Sequence, residues 1–132
     1  MGVCVFVASG LNFDVDGYLK NCPFKPSAVF RKGTIPAKET VPRPDSGFVV
    51  LVAEGSGLDM AAQAKAALAF LSSREREFEV MRKQGVDNLL LDFGFERSGK
   101  IQDSHYLAPE LISILGRFGM GVIFSTVQFP SG

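Results

Sequence analysis

The stretch VCVFVA, residues 3 to 8, is apolar on both of its alternating faces. Successive side chains of a strand point to opposite sides, so valines line one face while Cys4, Phe6 and Ala8 line the other. Such a pattern is typical of a central strand that is covered on both faces. The chain also has 12 Phe and no Trp, and Phe rings carry no polar group, so they belong in a core. We therefore expect this strand to run through the middle of a Phe-rich sheet.

Four further strands are predicted from apolar runs that are bounded by turn residues. Between the first two strands, Asp14 is an N-cap for a short helix, with Phe13 and Tyr18 at the spacing of a hydrophobic staple. Gly85 and Gly119 have the position of residues that end later helices. The predicted strands cover residues 3–8, 28–32, 47–54, 87–95 and 120–127.

Two longer helical patterns follow the third and fourth strands. Ser56 or Gly57 opens the first of them, and a capping box formed by Ser72 and Glu75 indicates that the chain breaks and restarts there. Pro109 fits the first position of the last helix. The apolar stripe predicted for the first pattern consists of Met60, Ala64, Leu68 and Leu71.

The resulting order, β-α-β-β-α-β-α-β, predicts an α+β fold. We expect a two-layer α/β sandwich with a mixed, mostly antiparallel five-stranded sheet, and the first six elements match the split βαβ arrangement of a ferredoxin-like core. The length of 132 residues predicts one domain, residues 1–132.

Charge and hydropathy argue against several classes of protein. Fourteen cations balance fourteen anions, whereas a nucleic-acid-binding protein usually has a basic excess. No run of about 18 apolar residues indicates a membrane span, and the stretch MGVCVFVASG lacks the charged start of a signal peptide. Two cysteines, Cys4 and Cys22, are compatible with a reducing compartment, so the sequence predicts a cytoplasmic protein.

The residues do not predict a catalytic, metal or cofactor site. In RKGT, Lys32 precedes Gly33, which is the reverse of the glycine-rich turn that cradles phosphates. The single histidine, His105, follows Asp103 and Ser104 but lacks a nucleophile motif. One histidine and two distant cysteines give no metal-ligand spacing. The sequence therefore favours a non-enzymatic protein over an enzyme.

A basic segment is the strongest indication of an interaction surface. No acidic residue occurs between positions 17 and 38, and a loop with three prolines, residues 34–46, follows. A basic patch here would bind a protein partner with an acidic surface, although a solvated charged face is the alternative. The predicted partner-binding residues are Lys25, Arg31, Lys32, Lys38 and Arg43.

Two other functions remain open at this point. One is a small ligand-binding domain or enzyme with a pocket near Asp92, His105 and the loop of residues 96–104. The other is a homodimer that pairs edge strands or the helices of residues 73–84.

Several blocks in order along the chain resemble one small bacterial family of unknown function. Pro26, Ser27 and the basic strand ending in Lys32-Gly33 fit its first block, and the family also has counterparts of LAFL (68–71), LDFG (91–94) and PELI (109–112). The resemblance implies a compact α/β domain of the bacterial cytosol, similar to immunity proteins that neutralise toxins. It implies no catalytic residue or cofactor, and the loop at 35–46 departs from the family pattern.

Overall fold

The computed structural model describes residues 2–56, 58–96 and 105–127, which form five strands and four helices. None of the helices in these ranges is long and apolar enough to cross a membrane. The strands are β1 (Gly2–Gly10), β2 (Ala28–Phe30), β3 (Ser46–Gly55), β4 (Asn88–Glu96) and β5 (Gly121–Val127). The helices are α1 (Val15–Leu19), α2 (Met60–Ser72), α3 (Glu75–Lys83) and α4 (Pro109–Arg117).

The strands form one five-stranded sheet in the order β2-β3-β1-β4-β5. β1 is antiparallel to β3 and β4, and β2 is antiparallel to β3. β5 is parallel to β4, because α4 carries the chain back before the last strand begins. The predicted α+β fold with a mixed, mostly antiparallel sheet is therefore confirmed. The first four strands have the order and directions of a ferredoxin-like core, to which β5 adds a fifth strand.

The core lies between one face of the sheet and the helices. The ring of Phe6 lies at the centre of this core, with its centroid 5.5–6.3 Å from the rings of Phe24, Phe48, Phe70 and Phe78. These five rings come from β1, β3, α2, α3 and the segment before β2. Five of the 12 Phe residues therefore form one aromatic cluster that joins the two layers.

The other face of the sheet differs from the sequence prediction. β1 is central, as predicted, and its Cys4, Phe6 and Ala8 are fully buried. The alternate residues Val3 and Val5 are only half-buried, because α1 to α4 all pack on the Phe6 side. The expectation that β1 is covered on both faces is wrong for the residues that the structure describes. Apolar side chains on both faces indicated a central strand, but not how many layers cover it.

β2 is shorter than the predicted strand of residues 28–32 and ends at Phe30. The backbone N–H of Lys32 donates to the hydroxyl of Ser46 at 2.8 Å instead of continuing the ladder. Gly33 follows with φ of 89°, a left-handed conformation that glycine adopts without strain. Arg31 and Lys32 therefore belong to the loop that follows β2, not to the strand.

The sequence predicted that the second helix starts at Ser56 or Gly57. α2 begins at Met60, later than Ser56, and Gly57 lies outside the described residues. Asp59 is its N-cap, and the Asp59 carboxylate accepts the backbone N–H of Ala62 at 2.9 Å. The predicted break near residue 73 is confirmed, since α2 and α3 are separate helices. The predicted capping box is wrong, because Arg74 is the N-cap of α3 and no side chain caps that end.

The buried side of α2 also differs from the predicted stripe. Its fully buried residues are Gln63, Ala67 and Leu71, together with the largely buried Phe70. Of the predicted stripe only Leu71 is buried, whereas Met60, Ala64 and Leu68 are partly exposed. Six alanines make α2 apolar over most of its circumference, so the sequence pattern did not distinguish its inner side from its flank.

Candidate functional site

The loop between β2 and β3, residues 31–45, is hereafter called the basic loop. Its base is tied by two backbone hydrogen bonds: the N–H of Gly33 donates to the carbonyl of Arg43 at 2.9 Å, and the N–H of Arg43 donates to the carbonyl of Thr34 at 2.8 Å. Two prolines, Pro36 and Pro42, further restrict the chain between these ties, and Pro44 follows directly after Arg43. The loop is therefore a defined projection from the end of the sheet, not an open linker.

The outer part of the basic loop exposes large apolar side chains among cations. Ile35 is 59% exposed and Val41 is 68% exposed. Lys38 lies between them in sequence and is also exposed, with φ of 68°. A non-glycine residue rarely adopts this left-handed conformation, which the surrounding loop must stabilise. The loop thus presents two apolar groups and a cation to solvent on a constrained backbone.

Arg31 is not a free cation, because it forms a two-pronged contact with Asp16 of α1. Its Nε and Nη2 donate to the two carboxylate oxygens at 2.9 and 2.7 Å. The hydrogen bonds from Arg31 lower the pKa of Asp16, and the same contact raises the pKa of Arg31. Both side chains are more than half exposed, so the pair neutralises charge locally without adding much stability.

Arg43 and Lys32 are also engaged at the base of the loop. The guanidinium of Arg43 lies 4.1 Å from the centroid of the Phe30 ring, and its Nη2 is 3.4 Å from the carboxylate of Asp45. The ammonium group of Lys32 donates to the carbonyl of Leu11 at 3.3 Å and stays exposed. Lys32 and Lys38 are the two cations of the basic loop that have no carboxylate partner among the described residues.

Lys25 lies apart from the other four predicted partner-binding residues. It precedes β2, whereas the basic loop follows β2, so the two sites are at opposite ends of that strand. Lys25 lines a separate groove with Phe24, Phe70 and Arg74, beside the part of β3 that β2 does not cover. The structure therefore places Arg31, Lys32, Lys38 and Arg43 on one loop and Lys25 at the other end of β2.

The structure does not bring Asp92 and His105 together. Asp92 is on the open face of the sheet, where its carboxylate accepts the hydroxyl of Ser125 at 2.8 Å. His105 is on the helix side, with its ring centroid 4.4 Å from that of Phe95 and 5.7 Å from that of Phe124. One pocket cannot be lined by both side chains across the sheet. Residues 97–104 of the loop proposed for that pocket lie outside the described residues.

A groove of about 510 Å³ lies between α2 and the start of α4, and we call it the α2–α4 groove. Met60, Ala64 and Leu68 of α2 form one wall, which is the predicted stripe that the sheet does not cover. The other groups that line the groove are Ala61, Lys65, His105, Tyr106, Ala108 and Leu111. The walls are thus almost entirely apolar, with polar atoms only on Lys65 and the two ring side chains.

Two titratable groups in the core, Cys4 and Tyr18, have structural roles. Burial raises the pKa of the Cys4 thiol to about 12, which keeps it protonated and unreactive at neutral pH. Burial, together with a hydrogen bond that the Tyr18 hydroxyl donates to Glu77 at 2.9 Å, raises the pKa of Tyr18. Across the described ranges, no three His, Cys, Asp or Glu side chains lie close enough together to hold a metal ion.

Sequence reasoning missed two features of these sites. The Asp16–Arg31 pair joins residues 15 positions apart, and only the return of α1 over β3 brings them into contact. The α2–α4 groove was missed because its wall was assigned to the core. The one available signal was the high alanine content of α2, six of 13 residues, because small side chains leave space beside a neighbouring helix.

Comparisons with protein-family models, with characterised proteins and with solved structures find no match to this chain. The resemblance to a small bacterial family therefore stays a prediction.

Proposed function

We propose that this chain is a non-enzymatic protein-interaction module that acts in the cytoplasm, as an immunity protein or a regulator. In this proposal its ligand is a protein with an acidic surface, not a nucleic acid. The observation that carries the proposal is the basic loop, which holds Ile35 and Val41 in solvent beside Lys32 and Lys38.

The constrained backbone of the loop favours binding. Ordering a flexible loop on association costs free energy, and a loop that is already held in one conformation avoids much of that cost. The ties between Gly33, Thr34 and Arg43 supply this order before a partner arrives. Exposed apolar groups at the centre of a polar rim are also typical of protein interfaces.

The charges of the loop indicate the chemistry of the partner. Arg31 is compensated by Asp16, and Arg43 lies on Phe30 near Asp45. Lys32 and Lys38 therefore contribute most of the field that an acidic partner would meet, and we assign them the main role in steering and specificity. Lys25, at the far end of β2, has a secondary role in this proposal.

The proposal is tested by affinity capture with the product of the neighbouring gene and with lysate of the native host. The double variant Lys32→Glu/Lys38→Glu should lose the partner while its thermal unfolding stays close to that of the unchanged chain. The matched control Arg76→Glu/Lys83→Glu places the same charge change on exposed residues of α3, and this variant should still bind the partner.

Capture that is equal for both double variants would refute the role of the basic loop. A homodimer is the alternative partner arrangement, and size-exclusion chromatography with light scattering distinguishes the two. A dimer that persists in the Lys32→Glu/Lys38→Glu variant would mean that self-association uses another surface.

A further inference from the structure

The wall of the α2–α4 groove is an apolar surface at the margin of the core: Met60, Ala64 and Leu68 pack against the core and stay partly exposed. α2 buries Gln63, Ala67 and Leu71 against the sheet. Met60 and Leu68 lie on its flank and remain partly exposed, although both are large apolar side chains. An apolar flank on a helix that is already anchored by another side is available to bind a ligand.

The groove has the volume of a small-molecule site and is open to solvent along one side. Its volume of about 510 Å³ lies within the range of about 300–1,000 Å³ that is usual for such sites. At roughly 30 Å³ per non-hydrogen atom, the share of a water molecule in the liquid, it has room for about 17 atoms. His105 also lines the groove, and its ring is held against Phe95 and Phe124 at centroid distances of 4.4 and 5.7 Å.

The polar groups of the groove indicate the charge of the ligand. Lys65 is the only charged residue among the described groups that line it, and no described carboxylate pairs with Lys65. Tyr106 is 75% exposed and adds a hydroxyl that donates hydrogen bonds. An apolar ligand body with one carboxylate would therefore match both the walls and the cation.

We propose that the α2–α4 groove binds an amphipathic monocarboxylate with an unbranched chain of about 12 carbons. The chain lies along Met60, Ala64 and Leu68, and the carboxylate reaches Lys65 and Tyr106. This site is separate from the basic loop, so it stands or fails independently of the proposed protein partner.

The four methionines supply a direct test, because each methyl group gives its own NMR signal in protein labelled at the methionine methyl carbon. Dodecanoate is titrated into the chain, and dodecyltrimethylammonium, with the same chain length and the opposite charge, is the matched probe. Since the formal net charge of the protein is zero, long-range attraction favours neither probe.

Dodecanoate should shift the Met60 signal in a saturable manner, with a dissociation constant of about 1 mM or tighter. The signal of Met81, which is fully buried in the core, should stay unchanged. The cationic probe should bind more weakly. Lys65→Gln should weaken dodecanoate binding about threefold, as expected for loss of one exposed ion pair, and should not weaken binding of the cationic probe.

Filling the groove should abolish binding of both probes. Ala61→Phe is the preferred variant because Ala61 is exposed and lines the groove, so the substitution does not disturb the core; Ala64→Phe is the second. Equal affinity for the two probes, unchanged binding by Ala61→Phe, or an equal shift of Met60 and Met81 would overturn the proposal. A Met60 signal that moves with protein concentration, without added ligand, would assign the groove to a second copy and also overturn it.

Discussion

The aromatic cluster around Phe6 gives the most quantitative prediction. Phe6 is fully buried, and four other Phe rings lie 5.5–6.3 Å from its centroid. Removing a buried Phe side chain costs about 3–5 kcal/mol, because the transfer free energy and the cavity both count. Each favourable aromatic pair contributes about 0.5–1.5 kcal/mol beyond burial. Phe6→Ala should therefore lower the free energy of unfolding by about 5 kcal/mol, the upper end of the range for a buried Phe.

The matched control is Phe124→Ala, which removes the same atoms from a position that is 45% exposed. Burying a Phe fully is worth about 1.5–3 kcal/mol, so this half-exposed ring, with its stacking contacts to Phe93 and His105, should contribute about 2 kcal/mol to the free energy of unfolding. Urea unfolding followed by far-ultraviolet circular dichroism measures both variants, and the chain has no Trp for a fluorescence probe. If Phe6→Ala lowers the free energy of unfolding no more than Phe124→Ala does, the cluster does not hold the two layers together.

Three other predictions concern thiol ionisation, glycine positions and a surface ion pair. The pKa of Cys4 in the folded chain is raised from 9.0 to about 12, so the contribution of the protonated thiol to the free energy of unfolding is intact below pH 9. Above pH 9 this contribution falls by about 1.4 kcal/mol per pH unit as the pH rises toward 12. Cys4→Ala should reduce this alkaline slope in urea unfolding. At Gly85 φ is 104° and an added Cβ would lie 2.6 Å from the carbonyl oxygen of Asn12, so Gly85→Ala should lower the free energy of unfolding by about 2 kcal/mol or more. At Gly33 φ is 89° but the space is open, so Gly33→Ala should lower it by about 1 kcal/mol. Equal losses for the two variants would contradict this reasoning. Arg31→Gln should leave the midpoint of thermal unfolding unchanged, because the ion pair is exposed; a large drop would show that the pair is structural.

Local signals in the sequence predicted local structure well. Asp14 caps α1, and its carboxylate accepts the backbone N–H of Gly17 at 3.1 Å. Phe13 and Tyr18 make the predicted staple, with ring centroids 5.8 Å apart. Gly85 and Gly119 follow α3 and α4 with positive φ, as helix-ending glycines do. Each of these features depends on residues within a few positions of one another, so one short window contains all the information.

Features that depend on distant parts of the chain were not predictable in the same way. The apolar residues on both faces of β1 identified a central strand. Whether a layer also covers Val5 depends on the side of the sheet on which each helix packs. The apolar residues of α2 did not reveal that Leu71 faces the core while Met60 faces a groove. The basic segment likewise lacks nearby acids in sequence, yet Asp16 is brought onto Arg31 by the fold. Tertiary packing decides each of these outcomes.

The central claim is that the basic loop binds a protein partner. Hydrogen–deuterium exchange of the chain, alone and with the protein recovered by capture, measures this most directly. The account predicts slower exchange in peptides that cover residues 31–45, and little change in peptides that cover α3 (Glu75–Lys83). Protection that appears only on α3 or along the α2–α4 groove, with residues 31–45 exchanging as before, would contradict it.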